Sequence, residues 1–131
     1  MMITTKNSQI FELSAPYANE YQGHWHRALY VCSAGMLRSA TAAYVGHQLG
    51  QNTRACGSEN YALIPLSLNL INWAETIYFV NEFNYLGALD TFVGMPEVEM
   101  MILAKSVVWD IEDVYNYRDP KLVQIITDLL S

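Results

Sequence analysis

The chain has 131 residues, 52% apolar and 15% charged, with seven Lys and Arg against thirteen Asp and Glu and a net charge of −6. That composition describes one globular domain with an ordinary core, and it excludes a disordered chain. The negative balance argues against a nucleic-acid partner, which needs clustered Lys and Arg, and no apolar run is long enough for a membrane span. The first residues lack the apolar core of a signal peptide, so a cytoplasmic address is expected.

Residues 1–26 read as an N-terminal extension, with turn formers and aromatics such as Tyr17 and Tyr21 but no clear period, and residues 27–131 as the domain proper. A short buried strand is expected over Ala28–Val31, then a loop, then a helix starting at Ser39 or Ala40 with Gly50 at its C-terminal end. Residues 52–56 form a second strand candidate ended by Gly57, and residues 66–75 a short helix with Ser67 as N-cap. The β-branched and aromatic run at 76–80 is a third strand, 81–89 a helix weakened by Gly87, and 91–105 is ambiguous. Residues 106–111 make a fourth strand, and Asp119 followed by Pro120 opens a last helix. Alternating strands and helices predict an α/β fold: a three-layer sandwich with a four-stranded parallel sheet flanked by helices. Right-handed crossovers then place the chemistry at the C-terminal ends of the strands.

The first of those ends carries Cys32-Ser33-Ala34-Gly35-Met36-Leu37-Arg38-Ser39. A loop running into a helix N-terminus presents backbone N–H groups and partial positive charge, which suits a tetrahedral oxyanion and favours a thiolate. Arg38 can grip two oxygens of that anion, the small residues Ser33, Ala34 and Gly35 allow close backbone approach, and the Ser39 hydroxyl can serve the sulfur. One constellation thus binds phosphate, supplies a nucleophile and stabilises developing charge. Residues 33–39 are the expected phosphate-binding set, and inorganic phosphate or a similar oxyanion the expected occupant.

The segment LYVCSAGMLRSATAAYV resembles the phosphate-binding loop of the low-molecular-weight protein tyrosine phosphatases, most of all their short bacterial and phage branch. The likeness continues in order through NTRACG, INWAETIYFVNEFNYLGAL and VVWDIEDVYNYRDPKLVQII, covering roughly residues 28–126. It implies a cysteine-dependent phosphomonoesterase that passes through a phosphocysteine and needs no cofactor or metal. Cys32 would be the nucleophile, Arg38 the phosphate clamp, Asp113 the general acid and Tyr115 an aromatic wall beside the phosphoryl group. The substrate would be a phosphorylated protein or a small phosphomonoester. The chain departs from the family at Gly35, where Asn is usual, at Leu37, where a second Cys is usual, and at Ala40, Ala43, Glu112 and Val114.

Two other functions compete. The CSAGM stretch also resembles the phosphorylated-cysteine loop of sugar phosphotransferase IIB carriers, although Arg38 and the DIEDVY block argue against a carrier. A degenerate phosphatase that only binds phosphate is the third reading. An arsenate reductase would need more cysteines than Cys32 and Cys56 to relay electrons. Elsewhere, His24, His26 and His47 are expected in surface or packing roles, Cys56 in the core without a disulfide to Cys32, and Met95, Met100 and Met101 in core packing.

Overall fold

A computed structural model describes residues 25–131. The expected extension, and with it Tyr17, Tyr21 and His24, lies almost wholly outside the described residues. The elements in order are β1 (Arg27–Cys32), α1 (Arg38–Gln48), β2 (Asn52–Gly57), α2 (Leu68–Trp73), β3 (Thr76–Phe79), α3 (Glu82–Thr91), α4 (Pro96–Lys105), β4 (Ser106–Val108) and α5 (Pro120–Leu129). The strands form one sheet in the order β2-β1-β3-β4, and every pair is parallel.

Period-two alternation along β1 separates two cores. Leu29 and Val31 face a layer built from Leu70 and Ile71 of α2, Ala88 of α3, and Val98 and Ile102 of α4. Ala28, Tyr30 and Cys32 face the other layer, with Ala42, Ala43 and Val45 of α1 and Leu122 and Ile126 of α5. Both faces of the sheet are covered, which is why β1 reads as a continuous apolar run. Under α1 the Tyr30 ring stacks on Tyr78 at 4.8 Å, and its hydroxyl bonds Gln51. Burial, more than the neighbouring Tyr78, pushes the Tyr30 phenol well above its usual range.

Two expectations are corrected and one open segment is settled. The fourth strand is shorter than 106–111 because the chain leaves regular pairing after Val108. Its amides still reach the sheet, Trp109 N–H donating to Phe79 O at 2.8 Å and Ile111 N–H to Val80 O at 2.9 Å. The ambiguous segment at 91–105 holds a helix, α4, opened by Pro96 in its first turn. Of the methionines expected in the core, Met101 packs against it, but Met95 and Met100 are exposed, Met100 by 68%. Ile102 takes the inward position on α4 instead.

β1 feeds α1 on one face of the sheet, whereas β3 feeds α3 on the other. The C-terminal ends of β1 and β3 are adjacent, so a crevice opens where the connections part. That is the topological switch point, where open α/β sheets hold their ligands.

Candidate active site

The loop between β1 and α1 is shaped by its carbonyls. Cys32 O accepts from Ser58 N–H at 2.7 Å, Ser33 O from Glu59 N–H at 3.2 Å, and Ala34 O from Leu63 N–H at 3.2 Å. Because a trans peptide points its C=O and the next N–H in opposite directions, the amides of Ala34 and Gly35 turn inward. The Gly35 N–H reaches Cys32 Sγ at 3.2 Å. On α1 the buried Ser39 hydroxyl lies 3.1 Å from the same sulfur. Leu37 stands at the N-cap of α1 without a side-chain cap, whereas Ser67, Asn81 and Asp119 cap α2, α3 and α5. The first-turn amides of α1 therefore stay available to a ligand.

Two glycines let this loop lie against β2. Gly35 has φ +75°, and a Cβ there would stand 2.8 Å from the Cys56 carbonyl carbon and 2.9 Å from Gly57 N. At Gly57 a Cβ would meet Ser33 O at 2.3 Å. Gly35, where the chain departs from the family's usual Asn, thus answers a left-handed backbone and a close approach together.

Arg38 is only 4% exposed, and every nitrogen of its guanidinium has a partner. Nη1 donates to Ile111 O at 2.8 Å, Nη2 to Ser33 Oγ at 3.5 Å, and Nε lies 3.5 Å from Asp113 Oδ1. Asp113 itself is 67% exposed. Ile111 O, the oxygen that orients Arg38, also accepts from Asn81 Nδ2 at 3.4 Å. A cleft of about 360 Å³ lies over these groups, lined by Ser33, Arg38, Glu59, Tyr61, Asn81, Phe83, Asn84 and Asp113.

Of the sequence-derived residues, Ser33, Arg38 and Asp113 line the cleft, Cys32 lies buried at the start of the loop against Gly35 and Ser39, and Tyr115 stands apart. Tyr115, expected as the aromatic wall, is half-buried against the core under α1 and α5. The aromatic side chains on the cleft are Tyr61 and Phe83, both exposed. Sequence reasoning also missed Asn84. This side chain is 0% exposed, and its Nδ2 donates to Ser33 Oγ and to Ser58 Oγ, each at 3.1 Å. The signal for it was modest: two asparagines three apart, Asn81 and Asn84, directly after the third strand. Ala34, Met36 and Leu37 do not line the cleft, and the Met36 and Leu37 side chains are exposed.

Other singled-out residues lie away from the cleft. His26 Nε2 bonds Thr76 Oγ1 at 2.7 Å, and its Nδ1 lies 3.7 Å from Glu75. The His47 ring stands 6.1 Å from that of Trp25. Cys56 is buried in the core and neither cysteine is in a disulfide. Among the described residues no group of three or more His, Cys, Asp or Glu could hold a metal ion, and no helix is long and apolar enough to cross a membrane.

No family model matches the sequence, and no curated protein matches it. Solved structures do. A low-molecular-weight protein tyrosine phosphatase from T. tengcongensis aligns with TM-score 0.59 at 15% identity, over 80% of this chain and 95% of that one. Wzb from Vibrio vulnificus, solved with benzylphosphonate, aligns with TM-score 0.57 at 16% identity, over 79% and 93%. The arginine phosphatase YwlE from Geobacillus stearothermophilus gives 0.54 at 15%, over 80% and 85%. These likenesses establish an architecture: a parallel α/β sandwich with helices on both faces of its sheet. In particular, this chain has the fold of the low-molecular-weight protein tyrosine phosphatases.

Proposed function

We propose that this chain is a cysteine-dependent phosphomonoesterase. The observation that carries the reading is the Gly35 N–H aimed at Cys32 Sγ from 3.2 Å while the neighbouring carbonyls face away. A loop with that polarity stabilises a sulfur anion and a phosphoryl oxygen by the same amides. The Cys32 thiolate attacks phosphorus, forming a P–S bond as the bond to the leaving oxygen breaks. Arg38 and the amides of residues 33–39 spread the charge of the three equatorial oxygens. Asp113, exposed at the edge of the cleft beside Arg38 Nε, delivers its proton to the leaving oxygen. Its carboxylate then takes a proton from water, whose oxygen attacks phosphorus as the P–S bond breaks, returning the thiolate, the protonated acid and inorganic phosphate.

Tyr61 and Phe83 flank the cleft mouth and offer apolar faces to the leaving group, which suits an aryl phosphate or a phosphorylated side chain on a protein. The mechanism calls for a reduced Cys32, which fits a cytoplasmic compartment. Hydrolysis of para-nitrophenyl phosphate between mildly acidic and neutral pH tests the reading. The wild type is expected to turn over, Cys32→Ser to be inactive, and Asp113→Asn to be slowed about 10²–10⁴-fold. A pure, folded wild type that never releases phosphate overturns it. If such a protein retained a phosphoryl group on Cys32, it would be a carrier.

A further inference from the structure

Ser33 follows the nucleophile directly and lines the cleft, and its Oγ touches two other cleft-lining residues, Arg38 and Asn84. A serine hydroxyl has one proton to give and two lone pairs to receive. Both groups in contact with Ser33 Oγ are donors: Asn84 Nδ2 at 3.1 Å and Arg38 Nη2 at 3.5 Å. With both lone pairs filled, the Ser33 proton has to be donated elsewhere, and the open side of this oxygen is the cleft. Taking the phosphomonoesterase reading as its basis, we propose that Ser33 is a hydroxyl donor to the phosphoryl oxygens and that Asn84 is the positioning residue committing it to that role.

The surroundings of Asn84 support this. Its second N–H goes to Ser58 Oγ at 3.1 Å, so one amide group ties the loop after β1 to the segment after β2. Its Oδ1 is buried and has no partner among the described residues. A buried acceptor left unpaired is destabilising, and such groups persist where another role holds the side chain in place. The two carboxylates that line the cleft, Glu59 and Asp113, make no hydrogen bond to Ser33 Oγ. A phosphoryl group held in the fork of Arg38 brings its oxygens next to the atom Ser33 already faces, since Nη2 belongs to that fork.

The test is a mutant cycle read on two scales, the dissociation constant of inorganic phosphate and kcat with KM for para-nitrophenyl phosphate. Ser33→Ala is expected to weaken phosphate binding about tenfold or more, as for a lost hydrogen bond to a charged group. Asn84→Ala should produce a similar loss, and the double variant should be no weaker than the worse single one within about twofold, because both remove one interaction. Ser33→Thr, which keeps the hydroxyl, should bind phosphate within about threefold of wild type on the same additivity scale. Where Asn84→Ala fails to fold, the near-isosteric Asn84→Asp replaces it. Its carboxylate accepts the Ser33 proton, so phosphate binding should fall below that of Ser33→Ala. Ser33→Ala binding at wild-type strength, or losses that multiply in the double variant, would sink the proposal. A wild type that binds phosphate but hydrolyses nothing refutes the phosphatase reading alone, and the binding series still decides Ser33. A wild type that binds no phosphate overturns both.

Discussion

Two arginines are buried in this small acidic domain, and their surroundings could hardly differ more. Arg38 opens α1, under a cleft, with a carboxylate 3.5 Å from its Nε and a backbone carbonyl fixing its Nη1. Arg54 lies mid-strand in β2, 7% exposed, its guanidinium 4.8 Å over the Trp73 ring, with Nη1 donating at 2.7 Å to Asn52 Oδ1 and at 2.7 Å to Thr53 O. No carboxylate pairs with Arg54 among the described residues, its Nε is buried without a partner, and burial pulls its pKa down to about 10. Burial of a cation is therefore no guide to function. What separates the two is the space each faces: Arg38 has a cavity in which an anion can complete its coordination, and Arg54 has an indole.

The sharpest way to break that contrast is to remove the fork at each site. Arg38→Lys keeps a charge but loses bidentate geometry, so kcat for an aryl phosphate should fall about 10²–10³-fold, as when one transition-state donor is removed. Arg54→Met should leave kcat and KM within about twofold, because a site more than one residue layer away adds independently. Next in size is Gly35→Ala, which forces a Cβ into backbone at a positive φ. A loss of about 1–3 kcal/mol in urea unfolding is expected, together with loss of phosphate binding as the loop lifts from β2. Urea unfolding of Arg54→Met should show a change within about 1.5 kcal/mol of wild type in either direction, since an unpaired buried charge is replaced by an apolar chain of similar length.

The smallest effect is alkaline. Tyr30 keeps its proton in the folded state to a higher pH than in the unfolded chain, so above pH 10 or so the unfolded state holds fewer protons and stability falls with pH. Arg54 acts with the opposite sign. Its folded pKa of about 10 lies below that of the unfolded chain, so its burial penalty, present below that pH, is relieved as pH climbs past it. Tyr30→Phe should therefore flatten the alkaline decline of stability, and Arg54→Met should steepen it. Matched slopes in the two variants would mean that neither group titrates as its burial implies.

The fold was legible because its signals are local. Asp119-Pro120 announces α5, Ser67 announces α2, and the apolar run of β1 shows a strand covered on both faces. The phosphate loop was legible for the same reason, its residues being consecutive. What the sequence hid is what the sheet brings together from afar. Asn84 meets Ser33 across 51 positions and Arg38 meets Ile111 O across 73, and no periodicity reports either. Tyr115 shows the converse. The family resemblance put it beside the cleft, but its ring is half-buried against the core layer that holds α1 and α5. Tyr61 and Phe83 reach the cleft from two other strand ends.

The loop's own supports divide unevenly along the chain. Every carbonyl and glycine contact that shapes the turn after Cys32 comes from residues 32–63, a single strand-helix-strand unit with its trailing segment. Asn81, Asn84, the carbonyl of Ile111 and Asp113 all come later. The backbone shape of the loop and the side-chain settings of its anion-binding groups are thus written in separate halves of the chain. A lineage could alter the chain beyond residue 80 and keep the backbone cradle, while Asn84 and the Ile111 carbonyl, which set Ser33 and Arg38, would retune how that cradle is used.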